Sequence, residues 1–110
     1  MLHVSPSPRV FAALSDPTRL ELLDRLRSGR PRSITALSAG TELTRQAVTR
    51  HLEVLADVGL VRDERHGRER LFSLDPAPLD GVAQWASQIC RQWDNRLDRL
   101  EAFLDKGDHT

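Results

Sequence analysis

The stretch TRQAVTRHLEVLADVGLVRDERHGRER, residues 44–70, decides the fold. Thr44 can cap a helix, because its hydroxyl can accept hydrogen bonds from the free backbone N–H groups of the first turn. Apolar residues then recur at helical spacing and predict one buried face, made of Ala47, Val48, Leu52, Leu55 and Val58. Gly59 predicts the end of this helix.

Polar side chains occupy the outward face of this predicted helix, close to its start: Arg45, Gln46, Thr49 and Arg50. A helix that enters the major groove of DNA needs such residues, because Arg and Gln match base edges and Thr reaches phosphates or methyl groups. With Thr44 at the cap, these residues are predicted to contact DNA. The alternative is the solvated face of an ordinary amphipathic helix.

A basic β-hairpin is predicted after Gly59, with residues 60–65 and 70–74 flanking the tip HGRE, residues 66–69. Strand alternation places Arg62 on the opposite face from Arg65, so the arginines of this hairpin cannot all reach DNA. Arg65 and the tip residue Arg68 are the predicted DNA contacts. Arg62 and Arg70 have an alternative role as a charged edge that prevents strands from aggregating. The order of helix, glycine and basic hairpin is typical of a winged helix-turn-helix and points to DNA.

Three shorter helices are predicted before residue 44. The first spans residues 9–14, and the second begins at Asp16-Pro17, where Asp can cap and Pro suits the first helical position. Ser33 caps the third, residues 34–39, and a tight turn then leads into the helix that begins after Thr44. The prediction is one mainly α domain at residues 9–105, with the order α1-α2-α3-α4-β1-β2-α5, a flexible arm at 1–8 and a tail at 106–110.

The last predicted helix, residues 79–104, carries apolar residues spaced alternately by three and four, which is the pattern of a packing seam. Its members are Leu79, Val82, Ala86, Ile89, Trp93, Leu97, Leu100 and Leu104, and Trp85, Cys90 and Phe103 widen the apolar surface. A helix of this length spans about 39 Å, which exceeds what a small domain's own core can cover. The seam therefore predicts a second copy as partner; the alternative is packing on its own domain alone.

Composition excludes several classes of protein. The 110 residues suit one domain, with 39% hydrophobic and 29% charged residues and a net charge of zero. The charge is uneven, because residues 25–70 hold 10 basic and 6 acidic side chains. No apolar run is long enough to span a bilayer, no export signal is visible and there is one cysteine, so a cytoplasmic protein is expected.

Four motifs in this order resemble the ArsR/SmtB-type family of bacterial winged-helix repressors: FAALSDPTR (11–19), LTRQAVTRHLEVL (43–55), GLVR (59–62) and WDNRLDRLE (93–101). The resemblance implies a homodimer formed through the first helix, at Val10 and Phe11, and the last helix. It also implies a protein that occupies a palindromic operator as a transcriptional repressor and leaves it on an unidentified signal.

The sequence departs from that family at the metal ligands. Metal sensors of the family commonly carry cysteines in the third helix, or His and carboxylate ligands on the last helix. Here the third helix has no Cys, and the four histidines, His3, His51, His66 and His109, are scattered. Zinc needs three or four converging ligands, so no metal site and no cofactor are predicted.

Cys90 and the overall function each have an alternative. Cys90 is expected to be a small hydrophobe of the seam, and the alternative is a redox switch between protomers. A DNA-binding repressor is the leading function, with double-stranded DNA, a second copy and an unidentified effector as partners. The alternative is a winged-helix module that binds protein without reading DNA. No arrangement of residues typical of a catalytic site is present, so no enzyme is expected.

Overall fold

The computed structural model describes residues 6–107, with side chains up to residue 105. Within these residues it contains five helices and three strands: α1 (Pro8–Leu14), α2 (Pro17–Arg25), β1 (Arg32–Ser33), α3 (Ile34–Ser38), α4 (Arg45–Asp57), β2 (Val61–His66), β3 (Glu69–Leu74) and α5 (Ala77–Gly107). Helix α1 begins at Pro8, the last residue of the predicted arm and one residue before the predicted start of the helix. Residues 1–5 of the predicted arm and residues 108–110 of the predicted tail lie outside the described residues.

Side-chain caps start the helices where the sequence predicts them. The Asp16 carboxylate accepts hydrogen bonds from the backbone N–H groups of Thr18 and Arg19 at 2.8 and 3.1 Å. These bonds, the one from Arg19 foremost, lower the pKa of Asp16. Ser33 accepts from the Ala36 N–H at 3.1 Å. Local sequence thus fixes the starts of α2 and α3.

The sheet has three strands, in the order β1-β3-β2, where the sequence predicted a two-stranded hairpin. Strand β1 is only two residues long and pairs antiparallel with β3, with Arg32 opposite Phe72. A strand of two residues is too short to show an alternating sequence pattern. Only its pairing with β3 defines it. The tip is also tighter than predicted, since His66 and Glu69 pair with each other and the turn is Gly67-Arg68. Gly67 has φ +64°, which favours glycine at the first turn position.

The core lies between α1–α4 and the base of the sheet. Its buried members are Val10, Ala13, Leu22, Leu23, Leu26, Leu37, Val48, Leu52, Leu55, Leu60, Val61 and Phe72. Among the described residues, no polar or charged side chain is buried. Val10 was expected at the interface with a second copy, but it is 7% exposed and belongs to this core. Little of its surface remains for a partner.

Helix α5 has 31 residues and extends beyond both predicted ends. The radius of gyration is 20.2 Å, against about 13 Å for a compact domain of 100 residues. From residue 91 to residue 105 every described side chain is exposed. Only the first part of α5 therefore packs on the rest of the chain. No helix of the described residues is long and apolar enough to cross a bilayer.

Candidate nucleic-acid interface

Helix α4, here called the recognition helix, is oriented by its cap and its buried face. The Thr44 hydroxyl accepts from the Ala47 N–H at 3.1 Å, and this bond starts the helix. Val48, Leu52 and Leu55 are fully buried against the core. Because helical residues three and four apart share a face, the intervening polar residues must face outward.

Those polar residues line a shallow concavity on the outer surface of the recognition helix. Arg45, Gln46 and Arg50 are exposed, and Thr49 is half-buried. The Thr49 hydroxyl donates to the Arg45 carbonyl at 2.7 Å, so its methyl group and the two lone pairs of its oxygen are what it can offer to a ligand. The structure therefore brings all four predicted contact residues of this helix to one surface.

The wing, defined as β2, β3 and the turn between them, brings two more arginines to the same region. Arg65 and Arg68 are exposed, and they line a concavity together with Arg45, the first residue of the recognition helix. The hydroxyl residues Ser33 and Thr35 also line this concavity. None of these three arginines makes an ion pair within the described part of the chain, so their charge is available to an anion.

Two other wing arginines are paired inside the protein. Arg62 Nε lies 3.5 Å from Asp75 Oδ2. Arg70 binds Asp63 through both Nε and Nη2, and its Nη1 lies 3.6 Å from Glu53 Oε1 on the recognition helix. The hydrogen bond from Arg70 lowers the pKa of Asp63 and raises the pKa of Arg70. Half of the wing's arginines are thus held in the protein's own ion pairs.

Two arginines of α2, Arg19 and Arg25, form hydrogen bonds that join α2 to the helices on either side of it in sequence. Neither was predicted to have a role from the sequence. Arg19 donates to the carbonyls of Ala13 and Ala12 at 2.8 and 3.2 Å, and its Nη1 lies 3.4 Å from His51 Nδ1. Arg25 Nη1 donates to the carbonyls of Leu37 and Ala39 at the end of α3, at 3.1 and 2.6 Å. Arg19 stands in the motif that carries the family resemblance, but these long-range contacts have no local signature.

The predicted dimer residues divide into two groups. Leu79 and Val82 are half-buried and pack on the chain's own core, and Ala86 is half-buried. Phe11 of α1 meets Trp85 of α5 edge to face, with ring centroids 5.2 Å apart. The second group is exposed: Ile89 at 38%, Trp93 at 58%, Leu97 at 52% and Leu100 at 53%. Cys90 is also exposed in the single chain.

Candidate metal ligands do not cluster within the described part of the chain. No group of three His, Cys, Asp or Glu side chains there is placed to hold a metal ion. His51 contacts Arg19, and His66 Nε2 lies 3.4 Å from Glu64 Oε2 on the wing. His3 and His109 lie outside the described residues.

Comparison with known proteins identifies the fold and its family. A family model described as a helix-turn-helix domain matches residues 14–64. The chain is 34% identical over 103 residues to the HTH-type transcriptional regulator Rv2034 of Mycobacterium tuberculosis. This alignment covers 93% of the chain and 92% of that protein. It is 30% identical over 90 residues to the transcriptional repressor SdpR of Bacillus subtilis, covering 80% and 97%.

A solved structure of a transcriptional regulator is also similar to this chain. An ArsR-like transcriptional regulator from Rhodococcus sp. RHA1 superposes with a TM-score of 0.75 and 35% sequence identity, covering 89% of each chain. The chain therefore belongs to the ArsR family of winged helix-turn-helix transcriptional regulators.

Proposed function

We propose that two copies of this chain bind one palindromic operator in the cytoplasm and repress transcription there by occupying it. Each protomer inserts its recognition helix into a major groove and lays its wing on the adjacent DNA backbone. The observation that carries this proposal is the concavity where Arg45 of the recognition helix meets Arg65 and Arg68 of the wing. The recognition helix and the wing thus place arginines that make no ion pair among the described residues on one surface. A positively charged surface of this kind is what a DNA-binding protein needs.

Residues at the start of the recognition helix are the proposed base readers. Arg45, Gln46 and Arg50 have long exposed side chains that can make paired hydrogen bonds to guanine or adenine edges. The partial positive charge of the helix N-terminus also favours phosphate at this end. Thr44 can donate its hydroxyl proton to a phosphate while its oxygen caps the helix. The Thr49 methyl group can contact a thymine methyl.

Wing arginines are the proposed backbone contacts. Arg65 and the turn residue Arg68 are exposed and extend from β2 and the tip. Because Arg–phosphate contacts release counterions from DNA, each one adds to the salt dependence of binding. We therefore expect affinity to fall steeply as salt concentration rises.

A second copy of the chain is the proposed cover for α5. The exposed apolar residues from Ile89 to Leu104 form one long stripe, and the Phe11–Trp85 pair extends it onto α1. Monomeric proteins rarely expose a contiguous apolar surface of this size. A twofold axis through α5 would also present two recognition helices to one operator, whose half-sites lie about 34 Å apart.

The proposed repressor leaves its operator on an unidentified signal. Cys90 lies at the edge of the α5 stripe, so dimerisation would bring it near the interface. In the proposal it is a small hydrophobe of that interface, and a redox role for it is the alternative. No metal or other cofactor is assigned.

The direct test of this proposal is footprinting on the DNA upstream of the protein's own coding sequence. The expected result is protection of two inverted half-sites centred about one helical turn apart. Substitution of Arg50 by Ala should remove the protection, whereas Arg91→Ala on the polar face of α5 should not. A folded wild-type dimer that protects no site would favour the alternative, a winged-helix module that binds protein.

A further inference from the structure

We infer that Arg70 is a positioning residue for DNA binding, which joins the wing to the recognition helix and does not itself contact DNA. This inference rests on the proposed function, in which the recognition helix reads bases and the wing contacts the DNA backbone. Arg70 would set the spacing between these two elements. Its basis is one guanidinium that binds a carboxylate on each of those two elements.

The Arg70 guanidinium contacts two carboxylates and one aromatic ring of the same chain. Its Nε lies 3.3 Å from Asp63 Oδ1, and its Nη2 also binds that carboxylate. Its Nη1 lies 3.6 Å from Glu53 Oε1 on the recognition helix. The guanidinium carbon stands 5.1 Å from the centre of the fully buried Phe72 ring. Arg70 is therefore held between the core, the wing and the recognition helix.

The position of Arg70 in the sheet connects it to the DNA-contacting arginines. Arg70 on β3 lies directly opposite Arg65 on β2, and both line the concavity that Arg68 and Arg45 also line. Like charges directly opposite each other destabilise a strand pair. Asp63 and Glu53 offset the positive charge of Arg70 and so reduce its repulsion of Arg65, which makes no ion pair of its own among the described residues. Because Arg70 is held by Glu53 of the recognition helix, it also sets the positions of Arg65 and Arg68 on the wing relative to Arg45.

Glu53 makes this inference testable by the sign of an effect. It lines the concavity formed by Arg45, Gln46, Thr49 and Arg50, so a carboxylate stands on the proposed DNA-facing surface. Simple electrostatics predicts that its removal strengthens DNA binding, because phosphates repel it. If Glu53 instead holds Arg70 and the wing, its removal weakens DNA binding.

The first experiment compares Glu53→Gln with a matched control, Glu69→Gln. Both substitutions replace one carboxylate by an amide near the same surface, but Glu69 makes no ion pair among the described residues. We expect Glu53→Gln to weaken specific binding about two- to fivefold, as for the loss of one surface ion pair. Glu69→Gln should leave binding unchanged or strengthen it. Tighter binding by Glu53→Gln would overturn the inference.

A second experiment asks whether Arg70 acts through the wing arginines. The effect of Arg70→Met on operator affinity is measured in the wild type and in an Arg65→Ala, Arg68→Ala background, at a salt concentration low enough for all variants to bind. A positioning residue loses most of its effect in that background, because the contacts that it positions are absent. An effect of equal size in both backgrounds would mean that Arg70 contacts DNA itself, and would overturn the inference.

Hydrogen exchange without DNA separates positioning from general stability. Arg70→Met and Glu53→Gln should speed exchange at the β2–β3 amides while leaving the buried residues of the recognition helix protected. Unchanged exchange in the wing would contradict the inference. If the wild-type protein binds no specific DNA, the proposed function fails first. If it binds specifically but Glu53→Gln does not weaken it, only the role of Arg70 fails.

Discussion

Arg19 Nη1 lies 3.4 Å from His51 Nδ1, so the first turn of α2 contacts the middle of the recognition helix. The same guanidinium donates to the carbonyls of Ala12 and Ala13 at the end of α1, and the Ala12 carbonyl also accepts from Ser15. One half-buried side chain thus connects the helix next to the proposed dimer surface with the recognition helix.

Removal of the Arg19 guanidinium should destabilise the fold. In Arg19→Met the partly buried Ala13 carbonyl loses its charged donor, which typically costs about 1.5–3 kcal/mol, whereas the exposed Ala12 carbonyl keeps its bonds from Ser15. We expect the free energy of unfolding to fall by at least about 1.5 kcal/mol, measured by urea denaturation. Arg9→Met is the matched control, since Arg9 is exposed on the neighbouring helix. Equal stabilities of the two variants would contradict the capping role of Arg19.

The Asp63–Arg70 pair should stabilise the wing only above acidic pH. The folded state lowers the pKa of Asp63 below its ordinary value of 3.8, foremost through the hydrogen bond from Arg70. Its contribution is therefore complete above the unfolded-state pKa and disappears as pH falls through the lower folded-state pKa. The pair is partly exposed, so we expect at most about 1 kcal/mol.

Thermal unfolding of wild type and Asp63→Asn across pH tests this expectation. The wild type should melt at a higher temperature near neutral pH, and the difference should shrink as pH falls below about 4. A difference that grows on acidification would have the wrong sign and would contradict the assignment.

The exposed arginines of the recognition helix should carry DNA affinity without affecting assembly. Arg45→Ala and Arg50→Ala each remove a group that can bind a base edge bidentately, which is worth about 1–3 kcal/mol. We expect operator dissociation constants to rise about 5- to 150-fold. Sedimentation should show the same oligomer as the wild type, since both residues lie away from α5. Unchanged affinity in both variants would refute the recognition-helix assignment.

The stripe on α5 should hold the dimer together. Leu97 is 52% exposed and lies in the middle of the stripe, so Leu97→Glu would place a charge inside the proposed interface. We expect monomers in sedimentation experiments at micromolar concentration, and loss of operator binding with them. Asn95→Glu is the matched control, because it adds the same charge on the opposite face of α5. Dimers that survive Leu97→Glu would place the interface elsewhere.

The elements that the sequence predicts best are those with local causes. Asp16-Pro17, Ser33 and Thr44 each begin a helix, because a side chain satisfies N–H groups only two or three residues away. The buried face of the recognition helix is equally local, since Val48, Leu52 and Leu55 repeat with the helical period. These residues also imply which polar side chains face outward.

The features that the sequence does not predict depend on contacts between distant residues. Strand β1 exists only because Arg32 and Ser33 pair with β3 about forty residues later. Glu53 and Arg70 are 17 residues apart and meet only after the wing folds back on the recognition helix. Val10 illustrates a further ambiguity, because an apolar residue of α1 can face the chain's own core or a partner, and periodicity does not distinguish the two.

The most direct test of the central claim is the affinity of the purified protein for DNA from its own upstream region, measured over a salt series with excess nonspecific DNA. We predict specific binding to an inverted repeat by a dimer, with log affinity falling linearly and steeply with log salt concentration. A folded protein that shows no preference for this DNA over nonspecific DNA at any salt concentration would contradict the account.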